Sequence, residues 1–199
     1  MMGERGALTM GRGWNQASDP AKGEVAMLTL KDLADKDLRW VESHGPEWKY
    51  ILRADDIEAG SLTFDPDSEN RAVGEISGQR WTFTRREDSL PCYIQVHAAG
   101  QDEPIATLTP RWGGSGSVHF RSGARYCWNT VHFWSARWCF RREDGHTSAC
   151  VTGGPPAREG SAVTICAHAA GLPETPVLVL LGWFVEVLVH EQISKCLVC

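Results

Sequence analysis

The sequence predicts a mainly β protein: a closed antiparallel β-barrel of about twelve strands enclosing an apolar C-terminal helix. Three observations point there. From Leu38 to Ala167 apolar and polar residues alternate with a period of two. Turn signals interrupt that alternation about every 8–15 residues, a spacing that suits hairpins rather than βαβ units. Beyond them lies Val177–Val189, which is apolar on every face apart from Glu186.

Residues 1–24 are rich in Gly and polar residues, lack any apolar run of signal-peptide type, and are expected to form a mobile tail. Residues 25–192 form the expected single domain, and 193–199 a second tail. Val25–Leu33 fits a short helix or a strand equally well. The expected strands are 38–41, 48–53, 60–64, 71–76, 80–86, 92–98, 104–109, 117–121, 124–130, 136–142, 147–151 and 161–167. Along the clearest of them one set of alternate side chains is apolar, as in Trp81 and Phe83 or Cys92, Ile94 and Val96, and the other is mostly polar; Ile51 is an exception in 48–53. Asp55-Asp56, Asp65-Pro66-Asp67, Ser77-Gly78, Gly100-Gln101-Asp102 and Ser122-Gly123 supply the turns.

After the last strand, Thr175 is placed to cap a helix and Pro176 to occupy its first turn, giving a helix over 176–192. A helix apolar all round must be enclosed by protein or sit in lipid. The thirteen residues Val177–Val189 span about 20 Å, short of the ~30 Å of a bilayer core, so no transmembrane span is expected. A barrel wider than eight strands leaves room for such a helix, and closure removes the sheet edges that invite aggregation. A membrane-associated helix is the alternative.

The 199 residues are 42% hydrophobic and 23% charged, enough for a packed core, and the net charge of −5 argues against a nucleic-acid partner. Seven Cys, an odd number without framework spacing, point to reduced thiols and a cytoplasmic location. No P-loop, dinucleotide fingerprint, nucleophile elbow or His-Glu-x-x-His motif occurs. The seven His do not group at metal-ligand spacings, so neither a cofactor nor a metal is expected. A Cys–His nucleophilic pair, for example Cys127 with His119, is conceivable, but packed thiols and half-exposed imidazoles are the expected reading. Cys196-Leu197-Val198-Cys199 reads as a Cys-x-x-Cys, a lipidation box or an inert tail.

The residues best suited to binding are arginines. Arg80-Trp81-Thr82-Phe83-Thr84-Arg85-Arg86-Glu87-Asp88 resembles Arg137-Trp138-Cys139-Phe140-Arg141-Arg142-Glu143-Asp144. Arg85, Arg86, Arg141 and Arg142, with Arg111, Arg121, Arg125 and Arg137, are the candidate patch for an anionic headgroup on one end of the barrel. Each Arg pair is followed at once by Glu-Asp, and local neutralisation is the competing and simpler reading.

The Trp/Phe hairpins, the Gly-rich turn before Val118-His119-Phe120, Arg125-Tyr126-Cys127-Trp128 and the run Leu172-Pro173-Glu174-Thr175-Pro176-Val177-Leu178-Val179-Leu180-Leu181-Gly182-Trp183 together resemble the tubby-like superfamily, which includes the LURP-one-related and phospholipid scramblase-like proteins. The resemblance covers about residues 38–192. It implies a twelve-stranded barrel around a hydrophobic helix, and some members bind phosphoinositides or act at membranes. The expected function is a non-enzymatic binding or scaffold module for phospholipid headgroups or a protein partner, cytoplasmic or peripheral at a membrane. An enzyme with a site gathered at one barrel end is the alternative.

Overall fold

The computed structural model describes residues 29–33, 35–87, 92–111, 114–132, 137–143, 150–153 and 161–197. The twelve strands are β1 (Leu38–Glu42), β2 (Lys49–Ala54), β3 (Ile57–Asp65), β4 (Ser68–Ile76), β5 (Gln79–Arg86), β6 (Tyr93–Ala98), β7 (Ala106–Arg111), β8 (Ser115–Phe120), β9 (Arg125–His132), β10 (Arg137–Arg142), β11 (Cys150–Gly153) and β12 (Ser161–Ile165). Each pairs antiparallel with its neighbour in sequence, and β12 pairs with β1 to close the barrel. Leu38 lies opposite Ala54 on one side and Val163 on the other. The helices are α1 (Leu30–Leu33), α2 (Ala167–Ala170) and α3 (Thr175–Leu197). The expected tail at 1–24 lies outside the described residues, as does part of the expected strand 147–151.

Local chemistry explains the hairpins. Ser77 (φ 51°) and Gly78 (φ 71°) are both left-handed between the paired residues Ile76 and Gln79, the backbone of a two-residue I′ turn. At the β3–β4 turn the Asp65 carboxylate accepts from the Asp67 amide at 3.0 Å. That Asp therefore serves the turn rather than paired acid catalysis.

The strands and helix then meet in one core. Trp40, Leu52, Leu62, Phe64, Phe83, Val96, Leu108, Val118, Tyr126 and Phe140 are buried from the strands, and every residue from Val177 to Leu188 other than Gly182 and Glu186 is a buried apolar side chain of α3. Trp183 stacks on Trp40 at 5.7 Å, and its ring meets Tyr50 edge-on at 5.3 Å. Phe184 lies 5.6 Å from Phe64 and 5.7 Å from Phe83. The indole N–H groups of Trp40, Trp128, Trp138 and Trp183 are buried with no acceptor among the described residues. An unmet donor costs about 1–3 kcal/mol. A buried aromatic removes 150–250 Å² from water, roughly 4–6 kcal/mol at 25 cal/mol/Å², so burial prevails.

Two details of α3 differ from expectation. The Leu178 amide donates to the Glu174 carbonyl at 3.0 Å, so the helix starts one residue earlier than 176. Thr175 Oγ1 donates to the Ala169 carbonyl and ties α2 to α3 instead of capping the helix. The helix also continues past 192 to Leu197, through a stretch with neither Gly nor Pro to stop it.

At Gly182 α3 lies directly against a ring of the wall. A Cβ on Gly182 would lie 2.3 Å from Cη2 of Trp138, and a Cβ on Gly153 2.2 Å from Cζ2 of the same ring. The Trp138 indole thus fills a slot between β11 and α3 and is held from both sides. Gly182→Ala is expected to cost about 1–3 kcal/mol, because the buried ring has nowhere to yield. Urea unfolding should show that loss, and Trp138→Leu should partly rescue it. A Gly182→Ala variant of wild-type stability would show that the slot is slack.

Candidate functional site

The chain enters α3 at one mouth of the barrel, where Ser122 Oγ of the β8–β9 turn donates to Glu174 Oε1 at 3.1 Å. This near mouth also carries the Asp55-Asp56 and Ser77-Gly78 turns. The far mouth carries the Pro66-Asp67 turn and the start of β6.

The two Trp-Phe-Arg-Arg segments occupy β5 and β10, five strands apart. An odd separation in an antiparallel sheet means opposite directions. Arg85 and Arg86 therefore reach the far mouth, opposite Ile94 and Tyr93, while Arg142 ends β10 at the near mouth, opposite Tyr126. The eight arginines do not form a patch on one end. Tandem duplication of a six-strand unit would have kept the two copies parallel, so the likeness is one of strand chemistry.

The barrel brings together a different subset. Arg111 of β7, Arg125 of β9, and Arg137 and Arg141 of β10 are all exposed and alternate with buried inward residues. They share the outer wall of β7–β10. Arg141 is paired with Cys127 and Arg125 with His119, and Arg111 reaches Asn129 through Ser115. At about 4.8 Å per strand this wall is roughly 14 Å across. None of the four makes an ion pair among the described residues. By contrast Arg85 is bound to Glu87 at 3.3 Å and Arg121 to Glu103 at 2.8 Å. Local neutralisation thus applies to those two, and Arg86 stands exposed at the far mouth away from the wall.

Cys127 lies among the wall arginines, and its Sγ donates to Glu143 Oε1 at 3.2 Å. That hydrogen bond raises the thiol's pKa, and burial and the carboxylate's charge add to it. Arg111 opposes them. A thiol held protonated is a poor nucleophile, so the Cys127–His119 pairing loses its chemical basis. Cys92, Cys127, Cys139 and Cys166 stand in no disulfide. No three His, Cys, Asp or Glu side chains converge as a metal site among the described residues.

Glu186 is the exception inside the barrel. It is 7% exposed, some 16 Å along the helix from Thr175, and makes no ion pair among the described residues. Desolvation pushes its pKa up to about 7.

No family model, curated protein or solved structure matches this chain. Among the described residues no helix is long and apolar enough to cross a membrane.

Proposed function

We propose that this protein is a non-enzymatic binding module of tubby-like type, which holds anionic phospholipid headgroups on the arginine wall of β7–β10 while remaining peripheral to the membrane, on its cytoplasmic side. The observation that carries this reading is the spread of four exposed guanidinium groups along one outer wall, Arg125 and Arg141 toward the near mouth and Arg111 and Arg137 toward the far one, none ion-paired among the described residues, with Glu143 beside Arg125 bound instead to Cys127. Each offers the planar fork of donors that fits phosphate oxygens two at a time. The filled lumen adds support: with α3 packed along the axis, a ligand is left with the outer wall and the mouths. Twelve antiparallel strands around a late apolar helix are also what the tubby-like resemblance implies.

The net charge of −5 makes attraction local to this wall and sensitive to salt. Vesicles of phosphatidylcholine with and without anionic lipid, sedimented with the protein at two salt concentrations, test it. The anionic vesicles should bind at low salt and release the protein at high salt. Reversing Arg111, Arg125 and Arg141 to Glu should abolish binding with the unfolding midpoint unchanged, whereas reversing Arg85 and Arg86 should leave binding intact. Binding that survives both high salt and the wall reversal would discard the reading.

A further inference from the structure

A cleft lies at the near mouth, on the barrel rim rather than on the outer wall that carries the arginines. It has a volume of about 450 Å³ and opens between the ends of β5, β7 and β8 and the start of α3. Its floor is apolar, made by Trp81, Ile105, Phe120 and Val177. Gln79, Arg121, Ser122 and Glu174 form its rim. The cleft is shallow and open to solvent, and it combines an apolar floor with a few convergent polar groups, as small-molecule sites do.

The rim charges are not balanced against each other. Arg121 is already neutralised by Glu103 at 2.8 Å. Glu174 accepts only the Ser122 hydroxyl, at 3.1 Å, and has no cationic partner among the described residues. Ser122 also holds the carboxylate in place across the rim. The cleft therefore presents one fixed carboxylate beside an apolar floor, with no cationic side chain on it among the described residues and only the partial charge of the α3 N-terminus behind it. An anionic ligand would meet that carboxylate unfavourably. A neutral one would use the floor alone.

We propose that the near-mouth cleft binds a small organic cation: an ammonium group against the Glu174 carboxylate, with its apolar body on Ile105, Pro173 and the exposed edges of Trp81 and Phe120. This site is independent of the arginine wall and of the headgroup reading.

The test is calorimetric titration of the full chain with benzyltrimethylammonium, beside benzyl alcohol and benzoate as neutral and anionic probes of similar body. The cation should bind at least tenfold more tightly than the alcohol, and benzoate more weakly than either. Glu174→Gln should remove that preference. Gln79→Glu, which adds a second anion to the rim without touching the core, should strengthen cation binding and covers the case in which Glu174→Gln perturbs the start of α3. Equal affinity for cation and alcohol would overturn the proposal, as would no binding of the cation at millimolar concentration or a preference unchanged by both substitutions. Reversal of Arg111, Arg125 and Arg141 should leave cation binding unaltered; its loss in that variant would place the site on the wall instead.

Discussion

Leu180→Asp is expected to abolish the folded state. Leu180 is fully buried in the second turn of α3, and its methyl groups crowd the place where a Cβ on Gly74 would stand, 2.8 and 2.9 Å from that position, with Phe83 beside them. The strand gives up a side chain there so that the leucine fits. Truncating a core Leu to Ala costs about 2–5 kcal/mol through lost burial and the cavity left behind. An aspartate adds the cost of an unpaired charge in the interior, still several kcal/mol after relaxation. Together these approach the whole stability of a domain, typically ~5–15 kcal/mol. Circular dichroism and urea titration of the variant should show no cooperative transition. Leu180→Met, which keeps the volume, should cost less than about 1.5 kcal/mol. A Leu180→Asp protein that remains folded and cooperative would mean that α3 does not form the core.

The second large effect is a pH dependence centred on Glu186. Its pKa rises from 4.5 to about 7 on folding, through burial. The folded state therefore holds this proton more tightly than the unfolded chain does. Its contribution is fully present below pH ~4.5, is lost as pH rises to ~7, and remains lost above. At about 1.4 kcal/mol per pH unit, ionised Glu186 costs the fold roughly 3 kcal/mol at pH 8. Glu186→Gln should accordingly be more stable than the wild type by about 2–3 kcal/mol at pH 8 and nearly equal to it at pH 4.5. Asp32 and Asp55 shift the other way, through hydrogen bonds to Thr29 and Lys36, but both are solvent-exposed and present in both proteins, so the difference isolates Glu186. Urea midpoints for the pair across this range decide it. A wild type that matches the variant at pH 8 would place the carboxylate in water.

The strands were legible because each is announced locally. Trp81-Thr82-Phe83 can only alternate, and Ser77-Gly78 can only turn. The helix was legible because Val177–Val189 leaves no polar face to expose. The arginine arrangement was not legible, for a topological reason. Whether two strands share a direction depends on the parity of the number between them, and whether Arg111 and Arg141 share a wall depends on register across β8 and β9. Similar motifs in β5 and β10 therefore suggested a joint patch that opposite strand directions forbid. The near-mouth cleft carried no linear signal at all. Ser122 and Glu174 are 52 positions apart and look like ordinary turn residues until closure of the barrel brings them together.

The helix that fills the barrel follows every strand in the chain, and this sets an order on biosynthesis. The ribosome releases β1 to β12 with their apolar inner faces before the element that covers those faces exists. Closure itself must wait for β12, because Leu38 at the start of the sheet has its second partner in Val163. Chains grow at about 5–20 residues per second, so apolar strands stand uncovered for seconds on every nascent chain. Pairing so distant in sequence is slow even after release. Completion of the core therefore waits until β12 and α3 have both been made, and a nascent chain stalled before Thr175 is expected to expose apolar strand faces that chaperones and proteases recognise.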